Sequence, residues 1–316
     1  MEVAWWAWVA VVAAILAMLA VDLFLHRDDH PPTLREALAW SMVWIAVSLA
    51  FGGIVWATLG HEAGAAYFAG YVIEKSLSVD NLFVFALLFH FFAVPAAYQH
   101  RVLFWGVIGA LGCRAIFIAT GAALLSTFHW MFYLFGAFLV FSGVKLARSD
   151  EMGMHPEANP VLKFFRRHVR ITDGYRGNRF FVREKGVRWA TPLLAVLVVV
   201  ETTDVLFAVD SIPAIFAVTT NAFIVFTSNA FAILGLRALY FLLAGVLGRF
   251  AYLKLGLATV LVFVGVKMIL NEWWHVPIWL SLAVIVVLIG GSILFSLWKT
   301  AAGKGGPEAT VGIEPT

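Results

Sequence analysis

Two short acidic motifs lie inside long apolar stretches of the sequence. The first reads Glu-Lys-Ser-Leu-Ser-Val-Asp-Asn from Glu74 to Asn81, and the second reads Asp-Val-Leu-Phe-Ala-Val-Asp-Ser from Asp204 to Ser211. Carboxylates beside hydroxyl and amide oxygens are typical ligands of hard cations, and acids placed inside a membrane also carry protons. The motifs therefore predict a site that binds a hard cation or handles protons.

The acidic residues in these apolar stretches outnumber the basic ones. A charge at bilayer depth costs at least about 2.5–3.5 kcal/mol, so these residues need partners. Lys75, Arg114 and Arg237 are the candidate structural counter-ions, and they leave an acidic surplus that protons or a bound cation must neutralise. The predicted site, which favours Mn²⁺, Mg²⁺ or Ca²⁺ over Cu(I) or Zn²⁺, comprises Glu74, Asp80, Asn81, Glu201, Asp204, Asp210 and Ser211.

The spacing of the acids constrains how they can meet. Six residues along a helix amount to a rotation of about 600°, so the two acids of each motif lie about 120° apart. Unwinding near Pro213 would bring Asp204 and Asp210 onto one ion, and broken helices are tolerated where they line a site. Glu201 and Asp204, three residues apart, share a helix face without unwinding.

The composition shows which elements position these residues. Of the 316 residues, 62% are hydrophobic and 13% are charged, whereas a soluble domain has about 25% charged residues. The single cysteine, Cys113, excludes a disulfide framework and a dithiol redox pair, and no nucleic-acid-binding motif is present. The sequence predicts an all-α polytopic membrane protein with about nine transmembrane helices, at 3–25, 37–59, 67–93, 101–125, 128–147, 189–218, 222–247, 250–271 and 276–299.

Basic residues occur only in alternate connections of this arrangement. The predicted outside loops contain no Lys or Arg, which places the N-terminus outside and the C-terminus inside. The predicted units are two peripheral transmembrane helices (1–60), repeat 1 (61–148), a basic cytoplasmic loop (149–188), repeat 2 (189–272), a final helix (273–300) and a disordered cytoplasmic tail (301–316).

The two repeats are recognised by three collinear matches. The acidic motifs match each other, Gly-Cys-Arg at Arg114 matches Gly-Leu-Arg at Arg237, and Val-Phe-Ser-Gly-Val-Lys at Lys145 matches Val-Phe-Val-Gly-Val-Lys at Lys267. Each copy has three helices, and an odd number of helices gives the copies opposite orientations. Inverted three-plus-three repeats are typical of secondary transporters that bind substrate at mid-membrane.

The acidic motifs, together with Ala-Val-Pro-Ala-Ala-Tyr-Gln-His-Arg from Ala93 to Arg101, resemble the TerC family of integral membrane proteins, and its Alx branch in particular. The resemblance covers nearly the whole chain. It implies a protein of the bacterial cytoplasmic (inner) membrane that exports Mn²⁺, with the motif residues forming the metal path. The family is also associated with tellurium resistance, and its Alx members with redox modulation, for which the lone Cys113 offers no chemistry.

We therefore expect a secondary exporter of a hard divalent cation, most simply Mn²⁺ with Ca²⁺ as the alternative, exchanged for protons or driven by the membrane potential. The other interpretation is a membrane accessory protein of tellurite resistance or stress response that has no transport of its own. An intramembrane enzyme is disfavoured because no histidine joins the serines and carboxylates. Membrane lipids are the expected partners, and no permanently bound cofactor is expected.

Overall fold

The computed structural model describes residues 3–25, 33–128, 130–148, 167, 169–184, 186–243, 252–270 and 277–301. Nearly all of them are helical. The helices are α1 (Trp5–Leu25), α2 (Leu34–Leu59), α3 (His61–Phe91), α4 (Ala96–Thr127), α5 (Met131–Arg148), α6 (Pro192–Phe216), α7 (Ala222–Ile233), α8 (Leu236–Leu243), α9 (Leu253–Leu270) and α10 (Ile278–Ala301).

Each of the nine predicted segments contains helix in its described part, and the seventh is divided into α7 and α8. Among the described residues, seven helical stretches are long and apolar enough to cross a membrane: Trp5–Asp22, Leu34–Leu59, Ala96–Thr127, Met131–Arg148, Pro192–Phe216, Ala222–Leu242 and Trp279–Ser296. These helices fit a polytopic, all-α membrane protein.

Two helices fall outside that group. The long helix α3 carries Glu74, Lys75 and Asp80 in its middle, and these charges lower its hydropathy. The apolar part of α9, Leu255–Leu270, is shorter than the others. The predicted number of nine spans depends on these two helices.

Both helices that carry the acidic motifs are continuous. Helix α3 runs unbroken through Glu74 and Asp80, and α6 contains Pro213 within its last turn and ends at Phe216. A proline so close to the end disturbs only the final turn. The unwinding considered for these motifs is therefore not observed, and the acids keep the separation of a regular helix.

The helix break occurs instead between α7 and α8. Gly235 has a φ of +79°, a left-handed conformation that favours glycine. Trp44 of α2 fills the space beside it, where a Cβ would lie 2.7 Å from the tryptophan side chain. The carbonyl of Ala232, freed by the end of α7, accepts a hydrogen bond from Lys75 Nζ at 3.0 Å.

The most extensive helix contacts pair α3 with α7, α4 with α6, and α5 with α9. The last pair is in close backbone contact through glycines. A Cβ on Gly136 would lie 2.8 Å from the Gly265 carbonyl, and one on Gly143 would lie 2.7 Å from the Ala258 carbonyl. Residue numbers fall on one helix as they rise on the other, so α5 and α9 are antiparallel.

The described part of the basic segment forms a small hairpin. Strand β1 (Phe181–Glu184) pairs antiparallel with β2 (Val187–Ala190), and Gly186 lies in the turn between them. The segment packs against the helices through Tyr175, whose hydroxyl donates to the Phe92 carbonyl at 2.7 Å. Residues 149–166 of the predicted loop, and the predicted tail beyond Ala301, lie outside the described residues.

Candidate functional site

Arg114 of α4 lies between two carboxylates from the two acidic motifs. Its Nη2 and Nε donate to Asp204 of α6, at 3.0 and 3.2 Å, and its Nη1 donates to Oε1 of Glu74 on α3. All three side chains are buried, with exposures of 1% for Arg114, 0% for Glu74 and 4% for Asp204. One guanidinium thus joins three helices and compensates one of two negative charges.

Neutral polar groups surround this triad. Ser211 Oγ accepts from Arg114 Nη1 at 3.3 Å, and Asn229 of α7 donates from Nδ2 to Glu74 Oε2 at 3.0 Å. Both residues are buried. Each oxygen of Glu74 therefore has a different neighbour: Oε1 faces the arginine, and Oε2 faces the asparagine.

Two enclosed oxygen atoms beside Glu74 have no hydrogen-bond partner in the described part of the chain. They are Oγ of Ser78 and Oδ1 of Asn229, in residues that are 0% and 1% exposed. Ser78 lies one helical turn after Glu74 on the same face of α3.

The other two acids of α6 lie apart from the triad. Glu201 reaches α4, where its carboxylate occupies the space that a Cβ on Gly109 would need. Asp210 faces α5, where Ser142 Oγ donates to its Oδ1 at 2.8 Å. Asp204 and Asp210 thus contact different helices, as the 120° separation predicts, while Glu201 and Asp204 both face α4.

The remaining predicted residues of the first motif are in α3. Asn81 is 3% exposed, and the side chain of Asp80 lies outside the described residues. Within the described ranges, no three His, Cys, Asp or Glu side chains are grouped closely enough to hold a metal ion. Among the six predicted ligands whose side chains are described, Glu74, Asp204 and Ser211 meet around Arg114, whereas Glu201 faces α4 and Asp210 faces α5.

The other two candidate counter-ions bind elsewhere. Lys75 caps the carbonyl of Ala232 at the end of α7. Arg237 of α8 pairs with Asp22 of α1, with 2.6 Å between Nη2 and Oδ1, and its Nη1 lies 3.4 Å from His100 Nδ1. Neither base contacts an acid of the two motifs through a hydrogen bond in the described structure.

Three residues of this network were not predicted from the sequence: Asp22, Ser142 and Asn229. Asp22 carries a signal, because it is a lone acid in an apolar segment. Ser142 lies in the third repeat match, one residue before Gly143. Asn229 belongs to the polar run Thr-Ser-Asn at residues 227–229, which has no counterpart in the acidic motifs.

A cavity of about 500 Å³ opens at the end of the bundle where α1, α3 and α7 begin. Its lining includes Glu62 and Ala66 of α3 and the polar residues Thr219, Thr220 and Asn221 before α7. Below Ala66, Gly70 and Glu74 follow at four-residue steps along one face of α3. Ser228 of α7 packs directly against this face of α3, because a Cβ on Gly70 would lie 2.6 Å from its Oγ.

The chain is similar to known membrane proteins over most of its length. Residues 59–304 match the Integral membrane protein TerC family. The chain is 51% identical over 294 residues to an uncharacterized membrane protein of Myxococcus xanthus, covering 93% of this chain and 92% of that protein. It is 51% identical over 305 residues to Alx of Escherichia coli strain K12, provisionally named a membrane-bound redox modulator, covering 93% and 94%.

A more distant relative, an uncharacterized membrane protein of Rickettsia bellii, is 37% identical over 283 residues, covering 89% of this chain and 94% of the relative. No solved structure matches the chain. The family match covers both acidic motifs and Arg114. The chain belongs to the TerC family of integral membrane proteins.

Proposed function

We propose that this protein is a secondary transporter that exports a hard divalent cation, with Mn²⁺ as the principal substrate, from the cytosol. The observation that carries the proposal is the buried meeting of Glu74 and Asp204 around Arg114. One arginine compensates one of the two carboxylates, and Lys75 is engaged by a backbone carbonyl. An excess of negative charge enclosed by helices is neutralised by protons or by a cation.

The donor atoms favour a hard ion. The carboxylates of Glu74 and Asp204 are accompanied by the hydroxyl of Ser211 and the amide of Asn229. Oxygen donors suit Mn²⁺, Mg²⁺ and Ca²⁺, whereas Cu(I) selects thiolates and thioethers. The choice of Mn²⁺ among the hard ions follows from the resemblance to the exporters of the TerC family.

The packing of α5 against α9 supports the inverted repeat. The repeat pairs Gly143 with Gly265, and by the same offset of 122 residues it pairs Gly136 with Ala258. The two close contacts are Gly136 with Gly265 and Gly143 with Ala258. Exchanging the two copies converts each contact into the other, as a two-fold axis in the membrane plane requires.

The remaining parts of the proposal are the topology and the route. Nine spans in a bacterial cytoplasmic membrane, with the N-terminus outside, put the cavity beside Glu62 on the outer surface. The ion would leave through this cavity along the α3–α7 contact. Protons released from or taken up by the surplus carboxylates are the proposed coupling ions.

Our proposal does not include the redox modulation for which the Alx relatives are named. A dithiol cycle needs two thiols, and this chain has Cys113 alone. The oxygen donors around Glu74 suit ion binding.

The test is ⁵⁴Mn²⁺ flux in proteoliposomes of known orientation, with and without an imposed pH gradient. We expect saturable flux in the wild type and its loss in Asp210→Asn, which keeps an oxygen that can accept from Ser142 but removes one charge. Asp173→Asn, an exposed position in the basic segment, is the matched control and should transport normally. Absence of flux in the wild type, or wild-type flux in both Asp204→Asn and Asp210→Asn, would reject the exporter.

A further inference from the structure

We propose that Ser78 and Asn229 are neutral oxygen ligands of the transported cation, which binds beside Glu74 at the contact between α3 and α7. This inference rests on the proposed export of a hard cation and specifies where the ion sits and what it touches. Ser78 is one of the oxygen donors of the first acidic motif, and Asn229 lies outside both motifs.

The primary observation is that two buried oxygens lack partners. Ser78 Oγ and Asn229 Oδ1 form no hydrogen bond with any group in the described ranges. More than about 90% of buried polar groups in proteins are paired, and leaving one unpaired costs about 1–3 kcal/mol. Ser78 lies one turn from Glu74 on α3 and Asn229 is hydrogen-bonded to Glu74 from α7, so we infer a common partner for their two oxygens.

Neighbouring hydroxyls show how easily Ser78 could have been satisfied. Ser76 donates to the carbonyl of Val72 at 2.7 Å, and Thr203 and Thr227 donate to the carbonyls four residues before them. Ser78 has the same option toward the carbonyl of Glu74 and does not use it. Its hydroxyl oxygen thus remains available on the face of α3 that carries Glu74.

Asn229 holds its amide in a fixed orientation. Its Nδ2 donates to Glu74 Oε2 at 3.0 Å, and Oδ1 is the unpaired atom of the same amide. Arg114 is on the other side of Glu74, at Oε1, and remains paired with Asp204. A cation on the Asn229 side would therefore approach Glu74 without displacing the arginine.

The donor set suits a hard ion that must also leave. One carboxylate, one amide oxygen and one hydroxyl, completed by water, match the oxygen coordination of hard divalent ions. Neutral ligands fill coordination positions without adding charge, so the ion is held less tightly than by four carboxylates. Ser78 and Asn229 would thus set selectivity, and the acids would set charge.

The competing explanation is a buried water that bridges the two oxygens. Replacing Ser78 by cysteine separates these cases, because a thiolate or thiol ligand shifts preference from Mn²⁺ toward soft Cd²⁺, whereas a bridging water carries no such preference. We would measure Mn²⁺ and Cd²⁺ binding by calorimetry on the purified full-length protein in detergent, in a Cys113→Ala background.

We expect Ser78→Cys to weaken Mn²⁺ binding roughly tenfold or more and to strengthen Cd²⁺ binding by a similar factor. Ser76→Cys, two residues away and bonded to its own helix, is the control and should bind both ions as the background protein does. Ser78→Ala should keep the wild-type melting temperature, because it removes an unpaired hydroxyl, and should lose Mn²⁺ affinity.

Asn229 is tested in the same assay. Asn229→Leu should weaken Mn²⁺ binding roughly tenfold or more. Thr227→Val is the control and should have little effect, because the buried Thr227 hydroxyl donates to the Phe223 carbonyl of its own helix. An unchanged Cd²⁺-to-Mn²⁺ ratio in folded Ser78→Cys would overturn the inference and identify a bridging water. If Asp210→Asn still abolishes flux in that case, the exporter stands without this ligand set, whereas a wild-type protein that binds neither ion overturns both.

Discussion

Arg237 on α8 and Asp22 on α1 form a largely buried ion pair, with 2.6 Å between Nη2 and Oδ1. The sequence predicts α1 as a peripheral helix and Arg237 as a counter-ion for the acidic motifs. The ion pair instead gives Asp22 a partner and connects the first helix to the second half of the chain. The two equivalent arginines of the repeat thus have different partners, because Arg114 pairs with both Glu74 and Asp204.

Removing the Arg237 side chain breaks its buried ion pair with Asp22. Arg237→Met is expected to destabilise the protein by about 3 kcal/mol, since a buried charge that loses its partner is costly. The apparent melting temperature in detergent measures the effect, and combining Arg237→Met with Asp22→Asn should recover part of it. Arg35→Met, at an exposed arginine of α2, is the control. A wild-type melting temperature in Arg237→Met would show that the pair adds nothing to stability.

Replacing Arg114 should have a larger effect than replacing Arg237. Arg114→Met leaves two buried carboxylates without their shared cation, so we expect little folded protein by gel filtration. Arg114→Lys should not restore it, because one ammonium cannot reproduce the forked contacts of a guanidinium. Adding Glu74→Gln and Asp204→Asn to Arg114→Met should raise the folded yield. Normal yield from Arg114→Met alone would contradict the structural role of the triad.

Adding a side chain at Gly143 should weaken the contact between α5 and α9. In Gly143→Ala the new Cβ would lie 2.7 Å from the Ala258 carbonyl, and the helices would have to separate. We expect a loss of about 1–3 kcal/mol, seen as a lower melting temperature. Gly290→Ala in α10, where nothing lies within 4 Å of the added carbon, should be neutral or slightly stabilising. Equal melting temperatures for the two variants would argue against close packing at Gly143.

Docking of the basic segment should weaken at alkaline pH. Burial raises the pKa of the Tyr175 hydroxyl, which donates to Phe92, to about 12. A free tyrosine ionises near about pH 10, so the contribution of this contact is complete below that pH and is lost as the pH rises from about 10 to 12.

Limited proteolysis with an alkaline-active protease would follow this change. We expect Tyr175→Phe to be cleaved faster than wild type in the basic segment at pH 8, and the difference to shrink above pH 10. A constant difference up to pH 11 would show that Tyr175 does not control docking.

Membrane orientation is checked by labelling single cysteines in a Cys113→Ala background. An impermeant reagent should reach a cysteine at Ser126 from outside and one at Arg176 only from inside, because basic residues occupy the predicted inner connections. Both positions are exposed, so access depends on the side of the membrane. Labelling of both from one side would exclude the inverted arrangement of the two repeats.

The helices were largely predictable because hydropathy over twenty residues is a strong, local signal. The break at Gly235 was not, since it depends on Trp44 of another helix filling the space beside a left-handed residue. The continuity of α6 was also missed. Pro213 suggested unwinding, but its position in the last turn makes the proline harmless there.

The residue types of the site were predictable, but their pairing was not. Intramembrane charges stand out in any apolar sequence, so Glu74, Arg114 and Asp204 were identified. Which acid meets which base depends on helix packing and rotation, which have no local signature. Lys75 illustrates this: it lies beside Glu74 in sequence but binds the carbonyl of Ala232.

Both helices that precede most of the region matched by the family, α1 and α2, contact the chain at the break between α7 and α8. Trp44 of α2 fits over Gly235, and Asp22 of α1 pairs with Arg237, two residues further on. One side chain from each of α1 and α2 thus contacts the same short socket, Gly235 to Arg237, within the family region of 59–304. A family member without these two helices would leave that arginine unpaired, so it should carry a different residue at this position or seat another helix there. The residue at position 237 is therefore expected to indicate whether a family member has helices equivalent to α1 and α2.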